Sequence, residues 1–404
     1  MMERITREDF ERFTANMQEP SFVREHRFHS FEQFQDSKLP DFRYGLNISV
    51  QPCGFQFSDV AIPRSSKRNE LRINAQQQQV GIVQGKDWGI IREKEAVLVL
   101  QEFYNSSWNT EEDANKLSFF HGAFSNEVAL IIIPEGCELK KPILVNLKIK
   151  EGPFMPTILV MAGENSRGTI LMSKEGGEIE NTYLSEEVKI VAKSGSSITF
   201  VSIQNLNGSV VQVQRRKAKA LRDAHVRWVD VCIGAKFTKA DISTKLEGSG
   251  SSADTTLLFI ANGNQRYDIY TESLHEGNSS TSNILTKGVV NGKAKALSRG
   301  LVQIGEHAAG SNGYEKQDAL LLSSEAEADA IPNLKIKNHD VRCTHGSTVG
   351  QIDKEKVFYL MSRGLSEEEA KTKIVEGYFI PVIEMFQDKT VAKQMQKAIL
   401  GALA

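Results

Sequence analysis

Between Pro156 and Pro332 the chain contains no proline, and short apolar or alternating blocks recur throughout that stretch. Proline cannot donate to a β-ladder, so a long proline-free run of this kind suits strands that all donate. From about residue 123 the blocks are 128–133, 143–149, 157–162, 169–172, 188–192, 198–203, 210–213, 226–233, 255–261, 267–270, 284–286, 294–297, 301–304, 319–322, 334–336 and 341–343. Turn formers separate them, among them Gly176-Gly177, Asn207-Gly208, Asn291-Gly292 and the Gly310–Gly313 cluster. Roughly sixteen such blocks are more than one hairpin-built sandwich holds. A parallel β-helix, with one short strand per face per coil, accommodates them. The expected class is mainly β, with a β-helix core and helical segments on either side. A sandwich or barrel stays open as the alternative, because no strict coil repeat is visible.

The flanks read differently. Thr6, followed by Glu8, Asp9, Phe10 and Phe13, predicts a capped N-terminal helix. Ser30 with Phe31 and Phe34 predicts a second short helix ending near Pro40. Nine of the 20 Phe precede residue 58, which implies an aromatic-packed N-terminal module. The Gln76–Gln79 tract reads as a solvated turn, and a helix is expected around 95–104. After Gly350 the pattern turns helical. Asp353 caps one helix, and Ser366 with Glu369 forms a capping box opening a second that stops at Gly377. Pro381 belongs at a first turn or a kink in the largely helical remainder. The expected organisation is residues 1–122, 123–348 and 349–404.

Composition limits the function. The formal net charge of −2 argues against a general nucleic-acid binder. No run approaches the roughly 18 apolar residues a membrane helix needs, and the N-terminus has no apolar signal core. Cys53, Cys137, Cys232 and Cys343 form no Cys-x-x-Cys pair, so neither a self-contained zinc or iron–sulfur site nor a disulfide framework is expected. A reducing cytoplasm is the expected compartment. Without a G-x-x-x-x-G-K-[ST] loop, no nucleotide is expected on this chain. The basic run Arg215-Arg-Lys-Ala-Lys219 reads as a solvated turn or rim. Cys53, Cys137 and Cys232 read as packing thiols and His339 as an exposed turn residue.

Residues 338–364 crowd one Cys and two His into seven positions, where the strand-like run gives way to helices. With 341–345 extended, Val341, Cys343 and His345 share one face, successive same-side positions lying roughly 7 Å apart. Taken alone, His345 is a histidine satisfied at the end of the last coil, and Cys343 an inert thiol. The helix after Asp353 is apolar nearly all round, at Val357, Phe358, Leu360 and Met361, more than one packing face uses. It either caps the solenoid or docks a partner.

This stretch closely resembles the C-terminal signature of the SufB/SufD scaffold family of iron–sulfur cluster assembly, and its Cys-Thr-His-Gly-Ser-Thr-Val-Gly core is similar to the SufD branch. The segments 116–145, 241–250, 283–288, 294–300 and 318–323 resemble the family's entry and successive coils, while Phe42-Arg43-Tyr44-Gly45 departs from its entry motif. The resemblance implies a right-handed parallel β-helix that pairs with a SufB-type paralogue. It also implies a tail that docks a SufC-type ABC ATPase through Val357, Phe358, Leu360, Met361, Ala370 and Ile374. A transient iron–sulfur cluster would form at the subunit seam, with His345 as metal ligand, Cys343 beside it, and sulfur arriving from a separate donor system. Gln317 stands where the SufB branch carries its cysteine, and Thr344 and Gly346 stand where that branch has glutamates. Both differences point to a non-catalytic SufD-like subunit. The alternatives are a β-helix carbohydrate-active enzyme, which needs paired carboxylates or bound calcium in a groove, and a SufB-like homodimer.

Overall fold

The structure is a computed structural model, and it describes residues 5–44, 47–63, 69–77, 79–91, 93–108, 115–176, 182–386 and 388–403. Gly45, Gln78 and Gly177, which figure in the readings above, lie outside the described residues. The N-terminal part contains helices α1 (Arg7–Thr14) and α2 (Ser21–Asp36), and a hairpin of β1 (Arg43–Tyr44) with β2 (Ile48–Ser49). Strands β3 (Glu70–Asn74) and β4 (Gly81–Gly85) come next, then helices α3 (Lys94–Asn105) and α4 (Lys116–Phe124).

Sixteen strands follow. The first eight are β5 (Glu127–Ile133), β6 (Ile143–Ile149), β7 (Pro156–Ala162), β8 (Arg167–Gly176), β9 (Thr182–Ala192), β10 (Ser197–Leu206), β11 (Val210–Ala220) and β12 (His225–Gly234). The rest are β13 (Phe237–Leu246), β14 (Ser252–Ala261), β15 (Arg266–His275), β16 (Thr281–Val290), β17 (Lys295–Ile304), β18 (Asn312–Leu321), β19 (Glu327–Ile336) and β20 (Arg342–Gln351). Three helices close the chain, α5 (Lys354–Ser362), α6 (Glu367–Ile383) and α7 (Lys389–Gly401).

The strands alternate between two nine-stranded sheets. Even-numbered strands from β6 to β20 lie in parallel order in sheet I, and odd-numbered strands from β5 to β19 in sheet II. This is a two-faced β-solenoid of about eight turns. β3 pairs antiparallel with β6, and β4 with β5, so the N-terminal part closes one edge of each sheet. At the other end β20 and β19 are terminal strands with one side unpaired within the chain.

Ser197 pairs with His225, His225 with Ser252, Ser252 with Thr281, Thr281 with Asn312 and Asn312 with Arg342, so coil length drifts between 27 and 31 residues. That drift hides the repeat from a fixed-period search. The Asn-Gly pairs mark corners of the coil rather than hairpins; Gly292 turns its corner with φ +67°, a left-handed conformation that glycine adopts without a Cβ penalty.

Period-two alternation directs one set of side chains into the lumen, where Ile170, Phe200, Trp228, Ile190 and Ile242 form part of a continuous apolar core. The outer faces are covered by the flanking segments. Val201, Val229, Leu258 and Val289 of sheet I pack against Val375, Phe379, Met395 and Ile399 of the tail. On sheet II, Val211, Val213 and Phe237 pack against Phe10, Phe31, Phe42 and Phe124. Helices α6 and α7 therefore lie along the outer face of sheet I.

The caps form where expected at α1, α5 and α6, with Thr6, Asp353 and Ser366 each accepting from a backbone N–H. Two helix boundaries differ. Ser30 does not open a helix; it is buried inside α2, whose sixteen residues start after Pro20. α6 does not stop at Gly377 but runs through Pro381 to Ile383. Burial of Phe379, Val382 and Ile383 against sheet I outweighs the local glycine and proline penalties.

Candidate functional site at the open rim of the solenoid

The site expected at Cys343 and His345 sits on β20, the terminal strand of sheet I. The parallel register sets Cys343 beside Gly313, His345 beside Glu315 and Ser347 beside Gln317. The column ending at His345 runs through Ile170, Phe200, Trp228, Thr255, Ile284 and Glu315 on successive strands. It changes from apolar to ionisable as it nears the rim. His345 is exposed, whereas Cys343 is half-buried against Ile284, Val302, Ile304 and Val341. His339 is also exposed.

Glu315 was not expected here. It lies one rung inside His345, closed to solvent, and accepts a hydrogen bond at Oε1 from Gln317 Nε2 at 2.5 Å. Burial pushes its carboxyl up to about 7. Burial, and then the charge of Glu315, raise the Cys343 thiol above its ordinary value, so at neutral pH it is a protonated sulfhydryl. A lone Glu between Tyr314 and Lys316 reads as surface in a sequence; only the register places it in the lumen.

A second polar group fills the middle of the lumen. Lys174 donates to Glu186 at 2.7 Å and to Gln214 at 2.6 Å, and Arg216 donates to Glu186 at 2.6 Å. Gln214 Nε2 reaches Asp230 at 3.3 Å and the Cys232 sulfur at 3.7 Å. Burial, and then Asp230, push the Cys232 thiol up to about 12, so Cys232 is inert. Cys137 is buried as expected, but Cys53 is exposed and is not a packing residue.

The basic run 215–219 is neither a turn nor a rim. It is the second half of β11, and every residue in it is buried. Arg216 points into the lumen toward Glu186, while Arg215 lies on the outer face, 3.7 Å from Glu187. The N-terminal part covers that face, so these charges are paired instead of solvated.

The structure divides the six apolar tail residues. Val357, Leu360, Ala370 and Ile374 pack together with Ile352, Leu320 and Leu322, so they hold α5 and α6 to the rim. Phe358 and Met361 face solvent, with Phe358 72% exposed, and Tyr359, Ile380 and Met385 are exposed near them in the tail.

Among the described residues no group of three or more His, Cys, Asp or Glu could hold a metal ion. Nor is any helix among them long and apolar enough to cross a membrane.

Residues 146–378 match the family described as SUF system FeS cluster assembly, SufBD core domain. The iron–sulfur cluster assembly protein SufD of Bacillus subtilis is 27% identical over 307 residues, covering 74% of this chain and 70% of that protein. SufB of the same organism is 24% identical over 415 residues, covering 93% of this chain and 88% of its own length. A SufBD family protein of Staphylococcus saprophyticus is 25% identical over 417 residues, 94% of this chain and 89% of the relative. The family match, which spans more than half of the chain, and these relatives place the chain in the SufB/SufD core-domain family of the SUF iron–sulfur cluster assembly system.

Proposed function

We propose that this chain is a SufD-type scaffold subunit that performs no chemistry on its own. Its terminal strand β20 pairs with a SufB-type paralogue, and its tail docks a SufC-type ABC ATPase. Iron and sulfur, the latter delivered by a separate donor system, are joined at the seam in the cytoplasm. The nascent cluster is cargo, held briefly by His345 and by donors from the paralogue, with Cys343 flanking it.

The observation that carries this reading is the exposure of His345 on a sheet edge left unpaired within the chain. An imidazole is a borderline ligand suited to iron, and an unpaired edge is a template for strand addition. Gln317 and the high-lying thiols of Cys343 and Cys232 offer no ready sulfur acceptor, which favours the SufD assignment. Phe358, Tyr359 and Met361 supply apolar surface for the ATPase.

The test is affinity capture of the tagged chain from its native host. Co-purification of an ABC ATPase and a SufB-type protein is the expected result; recovery of neither overturns the reading. His345→Ala should lower the activity of iron–sulfur enzymes while leaving the complex intact, with Cys343→Ser milder.

A SufB-type role has one observation in its favour, since the B. subtilis SufB match spans more of this chain than the SufD match. A stable cluster reconstituted on the isolated chain would support that role instead.

A further inference from the structure

The lumen treats its acidic groups in two ways. Glu186 is matched by Lys174 and Arg216, and Asp230 lies 3.5 Å from Arg216. Glu315 is as deeply buried, yet among the described residues no Lys or Arg forms an ion pair with it. A buried carboxylate that stays charged is compensated by a cationic side chain or by a metal ion; without either it holds its proton, in line with the raised Glu315 carboxyl.

The atoms around Glu315 show the same imbalance. Glu315 Oε2 and Gln317 Oε1 are buried with no hydrogen-bond partner, and so are Thr286 Oγ1 and Ser298 Oγ. Thr286 is the rung beside Gln317, and Ser298 lies two residues before Gly300 in the facing sheet. Buried acceptors are paired in the great majority of native structures, and a bound water or ion is one way such a group is satisfied. Glu186 Oε2 and Asp230 Oδ2 are unpaired as well, but their network already holds two cations. The backbone also makes room. A Cβ on Gly300 would fall 1.6 Å from Glu315 Oε1 and 2.8 Å from Gln317 Nε2, so only glycine there lets the carboxylate occupy its place.

We propose that Glu315 and Gln317, with Thr286 and Ser298 as neutral neighbours, form an oxygen-donor site for one divalent cation, a rung inside His345. One carboxylate, one amide oxygen and hydroxyls make a hard donor set, suited to a divalent cation and poorly suited to sulfide or thiolate. The absence of a cluster of three ionisable donors is consistent with this, because most of the donors are neutral. That the cation is ferrous iron on its way to the seam rests on the scaffold reading above; the divalent site itself does not. The order of donors, oxygen inside and imbidazole nitrogen at the rim, would pass the ion outward toward softer ligands.

The test uses the full-length, metal-free chain under anaerobic conditions. Mn²⁺ binding is followed by loss of the free-ion EPR signal, and Fe²⁺ binding by competition with a chromogenic chelator. One site per chain is expected. Glu315→Gln, which keeps shape and volume, should weaken Mn²⁺ by at least roughly 10- to 100-fold, the loss that removing even a supporting partner of a metal ligand causes. Gln317→Leu should weaken it less, and serves if the first variant misfolds by circular dichroism. His345→Ala should change it less than about threefold, since its ring is not among the proposed donors. No uptake by the wild-type chain, unchanged affinity in both Glu315→Gln and Gln317→Leu, or an equal loss in His345→Ala would each overturn the site. Co-purification with the ATPase and paralogue is measured separately. Its failure would remove the iron assignment and leave the Mn²⁺ result standing, and the converse failure would leave the scaffold reading untouched.

Discussion

Arg216 donates to Glu186 on the neighbouring strand of the same sheet at 2.6 Å, and both side chains are closed to solvent. Glu186 also takes Lys174, so one carboxylate holds two cations inside a column that is otherwise largely apolar. Glu186→Ala leaves both cations without their main partner and should cost about 3–5 kcal/mol. Replacing Lys174, Glu186, Arg216 and Asp230 together by Met, Leu, Met and Asn should cost less than the single change, because no buried charge is left uncompensated. Urea unfolding of the three proteins measures the difference; a single variant as stable as wild type would show that the network contributes nothing.

Gly300 and Glu315 are coupled through space. Gly300→Ala drives a methyl into the carboxylate and should destabilise the protein by about 1–3 kcal/mol. In a Glu315→Ala background the same change should cost less, because the nearest obstructing group is gone and only Gln317 Nε2, at 2.8 Å, has to shift. A double-mutant cycle on thermal unfolding reads the coupling directly.

His275 is buried, with Nδ1 and Nε2 each 2.8 Å from the hydroxyls of Ser280 and Ser282. Burial holds its pKa down to about 4, against 6.5 in the unfolded chain. Between those values the unfolded state binds more protons, so this stabilising contribution is complete above pH 6.5 and lost as pH falls through 4. The melting temperature should drop across that window, and His275→Gln should flatten part of the slope. His26, held down to about 4 chiefly by burial, adds to the same trend.

The two sides of the tail should respond in opposite ways. Phe379 is buried against sheet I, and Phe379→Ala should cost about 3–5 kcal/mol and speed amide exchange in α6 and α7. Phe358 is exposed on α5, and Phe358→Ser should move stability by no more than about 0.5 kcal/mol. On the proposed function it should still weaken capture of the ATPase. Normal capture by Phe358→Ser would remove this residue from the docking surface.

Much of the solenoid was legible in advance, though not for every strand. The sixteen expected blocks match sixteen strands only because two mismatches cancel: no block covers β13, and two blocks, 294–297 and 301–304, fall on β17. β13 shows no apolar block because its outer face carries Lys239 and Asp241, which look solvated, and only the resemblance of 241–250 to a coil points to it. In the fold they pair at 2.8 Å beneath the N-terminal part. The run 215–219 misled for the same reason. Cys343 and His345 stand out by their local motif, whereas Glu315, Glu186 and Lys174 carry no local signal.

What the amino-acid order determined alone was local: period-two alternation, the absence of proline from the ladder, and the caps at Thr6, Asp353 and Ser366. Those depend on neighbours within a few residues, and they favour a coiled strand column with helical flanks over a sandwich or barrel. Tertiary structure decided which polar residues are buried, because that depends on segments a hundred or more positions away covering the sheets. It also set Glu315 beside His345, since the pairing of residues 30 apart follows from coil length, which drifts and leaves no fixed period to read.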